Sequence, residues 1–184
     1  MNNDTLPPPK LTAWGFLQIR GKAVSSGKQH DCSIKITTPC VWLGVYSSTH
    51  NVTIASLITV GHVIGGLWLS PDLDLDSLPF KRWGLIKCIW LPYQRLIPHR
   101  GRFFNRNPLS HAPIVGTGLR LLYLAAIVAG AIALLDAATN SNLGSSLISA
   151  INKNQNILSY AASGIEVSAF IHLVMDITAT YSRR

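Results

Sequence analysis

Apolar residues dominate two long stretches of the chain, and both are typical of helices. Residues Val52 to Ser70 carry no formal charge, and Ala112 to Leu135 is interrupted only by Arg120. Stretches of this length and composition predict helices that can cross a bilayer, although two buried helices of a compact bundle would show the same pattern. Gly61 and Gly65 in the first stretch form a G-x-x-x-G face that would let another helix approach closely.

The remaining segments predict less regular elements. Residues 34–46 are apolar but contain Pro39 and Gly44, so we expect a broken segment there. Residues 140–156 are rich in serine and asparagine and predict a linker, whereas residues 157–180 predict a last amphipathic helix. Residues 1–25 lack a sustained period and predict a flexible N-terminal extension to a domain over residues 26–184. The pattern predicts an all-α helical bundle that is membrane-embedded or membrane-associated.

Composition supports an association with membranes. Of the 184 residues, 13% are charged and 48% hydrophobic, which excludes a fully disordered chain, a coiled coil and an ordinary well-solvated enzyme surface. The three cysteines show no disulfide spacing. A net charge of +8 makes anionic surfaces, membrane lipids above all, the expected partners. An oligomer is left open.

Residues 79–106 combine basic and aromatic side chains and contain no acid. Trp83, Trp90 and Tyr93 among lysines and arginines predict a segment at headgroup level on the cytoplasmic side of the membrane. Arg120, near the start of the second apolar stretch, is expected to extend toward the headgroups. No nucleic-acid-binding motif accompanies the basic segment, so we expect no nucleic acid as a partner.

The few acids and histidines are concentrated in four clusters: His30 with Asp31, Asp72 with Asp74 and Asp76, His99 with His111, and His172 with Asp176. A divalent metal needs imidazole and carboxylate groups that converge from several elements. Asp72 and Asp76 share one side of either an extended or a helical segment, and His172 and Asp176 share a helix face. Asp72 alone would also suit a turn, and a single histidine is more often a core residue.

Other residues are candidates for the chemistry around such a metal. Asp74 or Glu166 could act as a general base, and Glu166 could also be a further ligand or hold an imidazole in place. Arg100, with Arg102 beside it, could grip a phosphate. His62 and His50 are weaker ligand candidates, and Cys32 is expected to be a small buried hydrophobic residue.

Four stretches carry a resemblance to a known family: S-G-K-Q-H-D at residues 26–31, L-S-P-D-L-D-L-D-S, K-R-W-G-L-I-K-C-I-W-L-P-Y-Q-R-L-I-P-H-R, and L-S-H-A-P-I-V-G-T-x-L-R-L-L-Y-L. Over roughly residues 25–180, the chain resembles a bacterial family described only as metal-binding membrane proteins of unknown function. That family is remotely similar to inner-membrane metal-dependent hydrolases, which carry P-D-x-D, H-R-x-x-x-H-S and H-x-x-x-D elements. Their ligand order is similar to that of the zinc-dependent phospholipase C group.

The resemblance implies metal roles for His30, Asp31, Asp72, Asp76, His99, His111, His172 and Asp176. The family pattern usually begins just before the S-G-K-Q-H-D stretch, so residues 1–24 look like an N-terminal extension to it. The segment R-G-R-F-F-N-R-N-P is inserted between the H-R and S-H elements of this chain. The function expected is a membrane metal-dependent hydrolase that acts on a phosphoester. Zinc is the first candidate metal, with iron or manganese as alternatives. A non-catalytic metal-binding scaffold in an inner or internal bacterial membrane is the alternative, and in both cases the metal site is expected to face the cytoplasm.

Overall fold

The computed structural model describes residues 27–97 and 108–181, and every regular element in these two ranges is a helix. The α-helices are α1 (Gly27–Thr49), α2 (Val52–Leu67), α3 (Leu78–Arg82), α4 (Leu91–Leu96), α5 (Pro108–His111), α6 (Val115–Thr139), α7 (Leu143–Lys153) and α8 (Gln155–Tyr181). Two 3₁₀ helices, Pro71–Asp74 and Gly84–Trp90, lie on either side of α3. The predicted all-α fold is confirmed, and the predicted extension over residues 1–25 lies outside the described residues.

The segment predicted to be broken by Pro39 and Gly44 is instead part of one continuous helix, α1. A proline removes a backbone donor from the helix interior, which ordinarily costs about 3 kcal/mol. In the turn before it, the hydroxyls of Thr37 and Thr38 donate to the carbonyl groups four residues earlier, at 2.8 and 2.6 Å. These side-chain hydrogen bonds add to those of the helical turn before Pro39, and α1 continues through the proline to Thr49.

The most extensive helix contact in the described part of the chain joins α2 to α8, and it depends on glycines. A Cβ atom built on Gly61 would overlap the carbonyl oxygen of Ala161, and one built on Gly164 would overlap that of Ile58. Gly65 is equally crowded by α8. The G-x-x-x-G face seen in the sequence therefore allows a close helix crossing, and its partner is α8.

Three helical segments are long and apolar enough to cross a membrane: Val52–Asp74, Val115–Thr139 and Gln155–Thr178. The first two correspond to the apolar stretches of the sequence and agree with membrane association. The third differs from the amphipathic helix predicted there. Serine hydroxyls in this helix, such as those of Ser163 and Ser168, donate to carbonyls of the preceding turn, which satisfies them in an apolar helix.

The predicted serine- and asparagine-rich linker instead contains α7. The Asp136 carboxylate at the end of α6 accepts hydrogen bonds from the backbone amides of Leu143 and Gly144, at 2.8 and 2.9 Å, and so caps the start of α7. Leu143, Leu147 and Ile151 recur every four residues and give the helix one apolar face. The linker prediction was wrong because the polar composition obscured this spacing.

The segment between α2 and α6 is organised around aromatic side chains. Trp90 is 0% and Tyr93 1% exposed, and their rings pack edge to face at 5.5 Å. Both also contact Tyr123 of α6. Their rings form a core that joins this segment to the start of α6, and the depth of the segment in a membrane stays a prediction.

Candidate metal centre

Five of the predicted ligands converge where several helical elements end. His30 lies in the first turn of α1, and Asp72 lies in the 3₁₀ helix that follows α2. His111 ends α5, and His172 and Asp176 lie one turn apart near the end of α8. They form two groups of three that share His172, and each group could hold a metal ion: His30, His172 and Asp176, and Asp72, His111 and His172.

The first group joins α1 to α8. Oδ1 of Asp176 lies 3.5 Å from Nε2 of His30, and Oδ2 lies 3.4 Å from Nε2 of His172. The two imidazole rings stack with their centroids 3.9 Å apart. Because His172 and Asp176 are four residues apart on one helix, both side chains reach the face of α8 that meets the start of α1.

The second group adds a carboxylate on the other side of His172. Oδ1 of Asp72 lies 3.5 Å from Nε2 of His172 and 3.6 Å from Nε2 of His111. Ser70 caps the 3₁₀ helix by accepting a hydrogen bond from the Asp72 backbone amide at 3.4 Å, which fixes the backbone that carries the carboxylate. His172 consequently lies between two carboxylates that come from distant parts of the chain.

The spacing of these atoms fits a divalent transition metal. The nitrogen–oxygen separations of 3.4–3.6 Å are longer than hydrogen bonds, which run at about 2.7–3.2 Å. Two ligands that each lie about 2.0–2.1 Å from a tetrahedral zinc ion are about 3.3–3.4 Å apart. Nε2 of His172 is buried and has no hydrogen bond of ordinary length to a described residue, which suits a ligand nitrogen between two carboxylate oxygens.

The centre is buried except at Asp72. The other four side chains of the two groups are each less than a tenth exposed, whereas the side chain of Asp72 is 19% exposed. A cavity of about 10 Å³ adjoins His30 and His172, with Ser33 and Ser70 in its wall. A cavity of this size has room for about one water molecule.

Two further predicted ligands, Asp31 and Asp76, lie in neither group. Asp31 forms an ion pair with Arg82 at the start of the molecule's basic segment. The side chain of Asp76 is 73% exposed and lies 3.5 Å from Nζ of Lys81. The alternating acids do not all face one side, because the 3₁₀ helix ends at Asp74 and changes the direction of the chain.

The residues predicted for catalysis have structural partners where they are described. Glu166 accepts a hydrogen bond from the backbone amide of Ile114 at 2.7 Å, immediately before α6. Asp74 is buried and accepts one from the hydroxyl of Ser110 at 2.7 Å. Three predicted residues lie outside the described ranges, in residues 98–107: His99, Arg100 and Arg102.

The weaker ligand candidates lie apart from both groups. His62 is fully buried inside the bundle, and its Nε2 lies 2.9 Å from the hydroxyl of Thr37. His50 is exposed at the turn between α1 and α2. Cys32 is exposed on α1, so its predicted burial as a small hydrophobic residue was wrong.

Sequence reasoning missed Ser110 and misplaced Arg120. Arg120, predicted to extend toward headgroups, is only 1% exposed. Its guanidinium donates to the carbonyl oxygen of Ser110 at 2.8 Å and to the hydroxyl of Thr117 at 3.1 Å. A single charge in an apolar helix is costly unless it is paired, and that cost was the available signal for a buried partner.

The fold and this centre define a class of protein: an all-α bundle with helices long enough to span a membrane and with His/Asp groups able to hold a metal. The chain belongs to the family described as "Uncharacterized metal-binding protein (DUF2227)", whose model matches residues 25–184. An uncharacterized protein of Aquifex aeolicus (strain VF5) is 39% identical over 66 residues, which cover 35% of this chain and 42% of the relative. No solved structure matches the chain.

Family membership confirms the resemblance to metal-binding proteins that the sequence motifs indicated. Neither match is described as a hydrolase or a phospholipase, and neither names a metal. The more remote similarity to hydrolases and the choice of zinc therefore remain predictions.

Proposed function

We propose that this protein holds a divalent transition metal with ligands drawn from His30, Asp72, His111, His172 and Asp176, and that it hydrolyses a phosphoester at the membrane. Zinc is the first candidate, and iron and manganese are the alternatives, because imidazole nitrogen and carboxylate oxygen suit all three. The observation that carries the proposal is the convergence of two carboxylates on Nε2 of His172, at 3.4 and 3.5 Å.

Three features support a hydrolytic role for the metal. Structural zinc sites are typically closed by four ligands and rich in cysteine, whereas catalytic sites use histidine and carboxylate ligands and keep one position open. Here the ligands are of the second kind, Asp72 is partly exposed, and the adjoining cavity has the size of one water molecule. A metal of this type supplies Lewis acidity and makes water nucleophilic near neutral pH.

The surroundings of the centre support an anionic substrate that adjoins the bilayer. Lys81, Arg82, Lys87 and Arg95 make the segment after α2 strongly basic, and Arg100 is proposed to bind the phosphate. Asp72, His172 and Asp176 lie near the ends of the segments Val52–Asp74 and Gln155–Thr178, which are long enough to span a membrane. A phosphoester on a lipid headgroup is therefore the proposed substrate class.

Asp72→Asn is expected to abolish both metal retention and phosphodiester hydrolysis, because it removes the carboxylate between His111 and His172. The loss of metal affinity and of activity should each exceed the roughly 10–100-fold seen when a residue that only orients a metal ligand is changed. The measurement combines elemental analysis of the zinc-loaded full chain in detergent with hydrolysis of bis(p-nitrophenyl) phosphate and of a glycerophospholipid.

Asp76→Asn is the matched control for this experiment. It makes the same change four residues further along, in a side chain that is 73% exposed. Metal content and hydrolysis should stay within about twofold of the wild type, as for an ordinary surface substitution. Undiminished hydrolysis in Asp72→Asn, or an equal loss in both variants, would argue against the proposal.

The distribution of basic residues supports a cytoplasmic metal centre. Five basic residues lie in the described segments at the end of the molecule that holds the centre: Lys28, Lys81, Arg82, Lys87 and Arg95. At the opposite end, the described turns around α7 and between α1 and α2 contain one, Lys153. Because short cytoplasmic loops carry an excess of lysine and arginine, the centre is proposed to face the cytoplasm.

Cys88 allows this orientation to be tested by labelling, because its thiol is exposed at the end that holds the centre. In a chain with Cys32→Ser and Cys40→Ser, a membrane-impermeant maleimide should label Cys88 only after the cells are permeabilised. A matched chain that also carries Cys88→Ser and Ser145→Cys, on the exposed surface of α7, should be labelled in intact cells. The reverse pattern would place the centre outside the cytoplasm.

A structural role for the metal is the second candidate function. It is favoured by the fact that the ligands come from helical elements distant in sequence. The two groups draw their side chains from α1, α5, α8 and the first 3₁₀ helix, so a bound ion would tie together elements distant in sequence. In that case metal would raise the melting temperature of the wild type, and no phosphoester would be hydrolysed.

A further inference from the structure

Three buried side chains, Asp74, Ser110 and His111, form a hydrogen-bonded chain that ends at the imidazole of His111. The hydroxyl of Ser110 donates to Oδ2 of Asp74 at 2.7 Å and lies 2.7 Å from Nδ1 of His111. Ser110 is 0%, Asp74 4% and His111 6% exposed. The other ring nitrogen of His111, Nε2, faces Asp72 in the second metal-binding group.

The single proton of the Ser110 hydroxyl determines which nitrogen of His111 carries hydrogen. This proton is donated to Asp74, whose carboxylate accepts hydrogen bonds and donates none. The short contact between Ser110 and Nδ1 of His111 therefore requires a proton on Nδ1. In a neutral imidazole this leaves the lone pair on Nε2, the atom that faces Asp72.

Arg120 supports the arrangement from α6. One guanidinium nitrogen donates to the carbonyl oxygen of Ser110 at 2.8 Å, and another donates to the hydroxyl of Thr117 at 3.1 Å. The buried guanidinium also has a favourable electrostatic interaction with Asp74. Arg120 thus fixes the backbone of Ser110 and places a permanent positive charge near the carboxylate.

We infer that Asp74 and Ser110, supported by Arg120, are positioning residues that keep Nε2 of His111 available as a metal ligand. The inference rests on the proposed function, because it takes His111 as one of the ligands. Asp74, a candidate general base in the sequence, acts here through Ser110 and not on a substrate. A carboxylate that sets the tautomer of a ligand histidine is a general feature of metal sites, and in this chain a serine hydroxyl lies between the two.

The tautomer can be measured without metal or substrate. The full chain, labelled with ¹⁵N in its histidine rings and freed of metal with a chelator, is studied by NMR in detergent at a pH where the imidazoles are neutral. His111→Asn identifies the signals of this ring. The wild type should show a ring protonated at Nδ1, Ser110→Ala should mix the two tautomers, and Ser110→Thr should restore the first. A wild-type ring protonated at Nε2 would overturn the inference, whatever the metal does.

Zinc affinity, measured by competition with a chelator, is the second readout. Ser110→Ala should weaken binding by roughly 10–100-fold. In the matched control, Thr37→Val removes a hydroxyl 2.9 Å from Nε2 of His62, a buried histidine outside both groups, and the affinity should not change.

The outcomes separate this inference from the proposed function. Equal losses of zinc affinity in Ser110→Ala and Thr37→Val would overturn the inference, because they would show that losing any buried hydroxyl is sufficient. A wild-type chain that binds no zinc but has His111 protonated at Nδ1 would contradict the proposed function while upholding the hydrogen-bonded chain.

Discussion

His172→Asn is expected to remove metal binding, because Nε2 of His172 belongs to both groups of ligands. This nitrogen lies 3.4 Å from Oδ2 of Asp176 and 3.5 Å from Oδ1 of Asp72. Without it, each group keeps only two of its ligand atoms, and the carboxylates lose the imidazole between them. The loss of zinc affinity should exceed the roughly 10–100-fold typical of residues that only orient a ligand. Elemental analysis of the purified chain should then find zinc at background level.

His50→Asn provides the control with the same chemical change. His50 is exposed at the turn between α1 and α2 and has a positive φ of 50°, a conformation that asparagine tolerates. This variant should keep the metal content of the wild type. Wild-type zinc content in His172→Asn would show that the ligand assignment is wrong.

Gly164→Ala is expected to destabilise the bundle strongly, although alanine is the better helix former by up to about 1 kcal/mol. A Cβ atom at this position would overlap the carbonyl oxygen of Ile58, a backbone atom that cannot move without displacing α2. The expected cost lies at the top of the roughly 1–3 kcal/mol range for overpacked cores. Because α8 carries His172 and α2 leads into Asp72, zinc affinity should fall as well.

Gly130→Ala is the matched control, since a Cβ atom there has no neighbour within 4 Å. Thermal unfolding in detergent should show a melting temperature at or above that of the wild type for this variant. For Gly164→Ala a decrease of roughly 6–12 °C is expected, from about 3 kcal/mol at 2–4 °C per kcal/mol. Similar melting temperatures for the two variants would contradict the close α2–α8 crossing.

The features that could be predicted from the sequence are those decided within a single helix. His172 and Asp176 are four residues apart, so they share a face of α8 wherever that helix packs. Gly61 and Gly65 likewise share one face of their helix. Their spacing indicates a close helix contact but does not identify the helix that makes it. Long apolar runs likewise predict helices that can span a membrane, whatever their neighbours are.

Other features depend on contacts between distant segments, and spacing alone could not predict them. Asp31 follows His30 directly and so lies about 100° around α1 from it, where it meets Arg82. Asp76 belongs to the same run of alternating acids and leucines as Asp72. The chain changes direction between the two, however, and the side chain of Asp76 lies in solvent near Lys81. Both outcomes depend on where α3 packs.

Burial of polar and aromatic residues was equally hard to predict. Trp90 and Tyr93 resemble residues of a membrane interface in composition, yet they lie in a core against Tyr123. Arg120 carries a charge in an apolar helix. Its partner, the carbonyl of Ser110, comes within hydrogen-bond distance only when α5 packs against α6. In each case the partner lies on another element, and its position follows from the tertiary packing.

X-ray absorption spectroscopy at the zinc edge of the loaded full chain tests most directly whether histidine and aspartate side chains hold the metal. We expect nitrogen and oxygen donors at about 2.0–2.1 Å, with the scattering signature of imidazole, and no zinc signal from His172→Asn treated in the same way. The thiols of the chain, Cys32, Cys40 and Cys88, are all exposed. A zinc–sulfur distance of about 2.3 Å, or a spectrum without imidazole, would show that these histidine and aspartate side chains do not hold the metal.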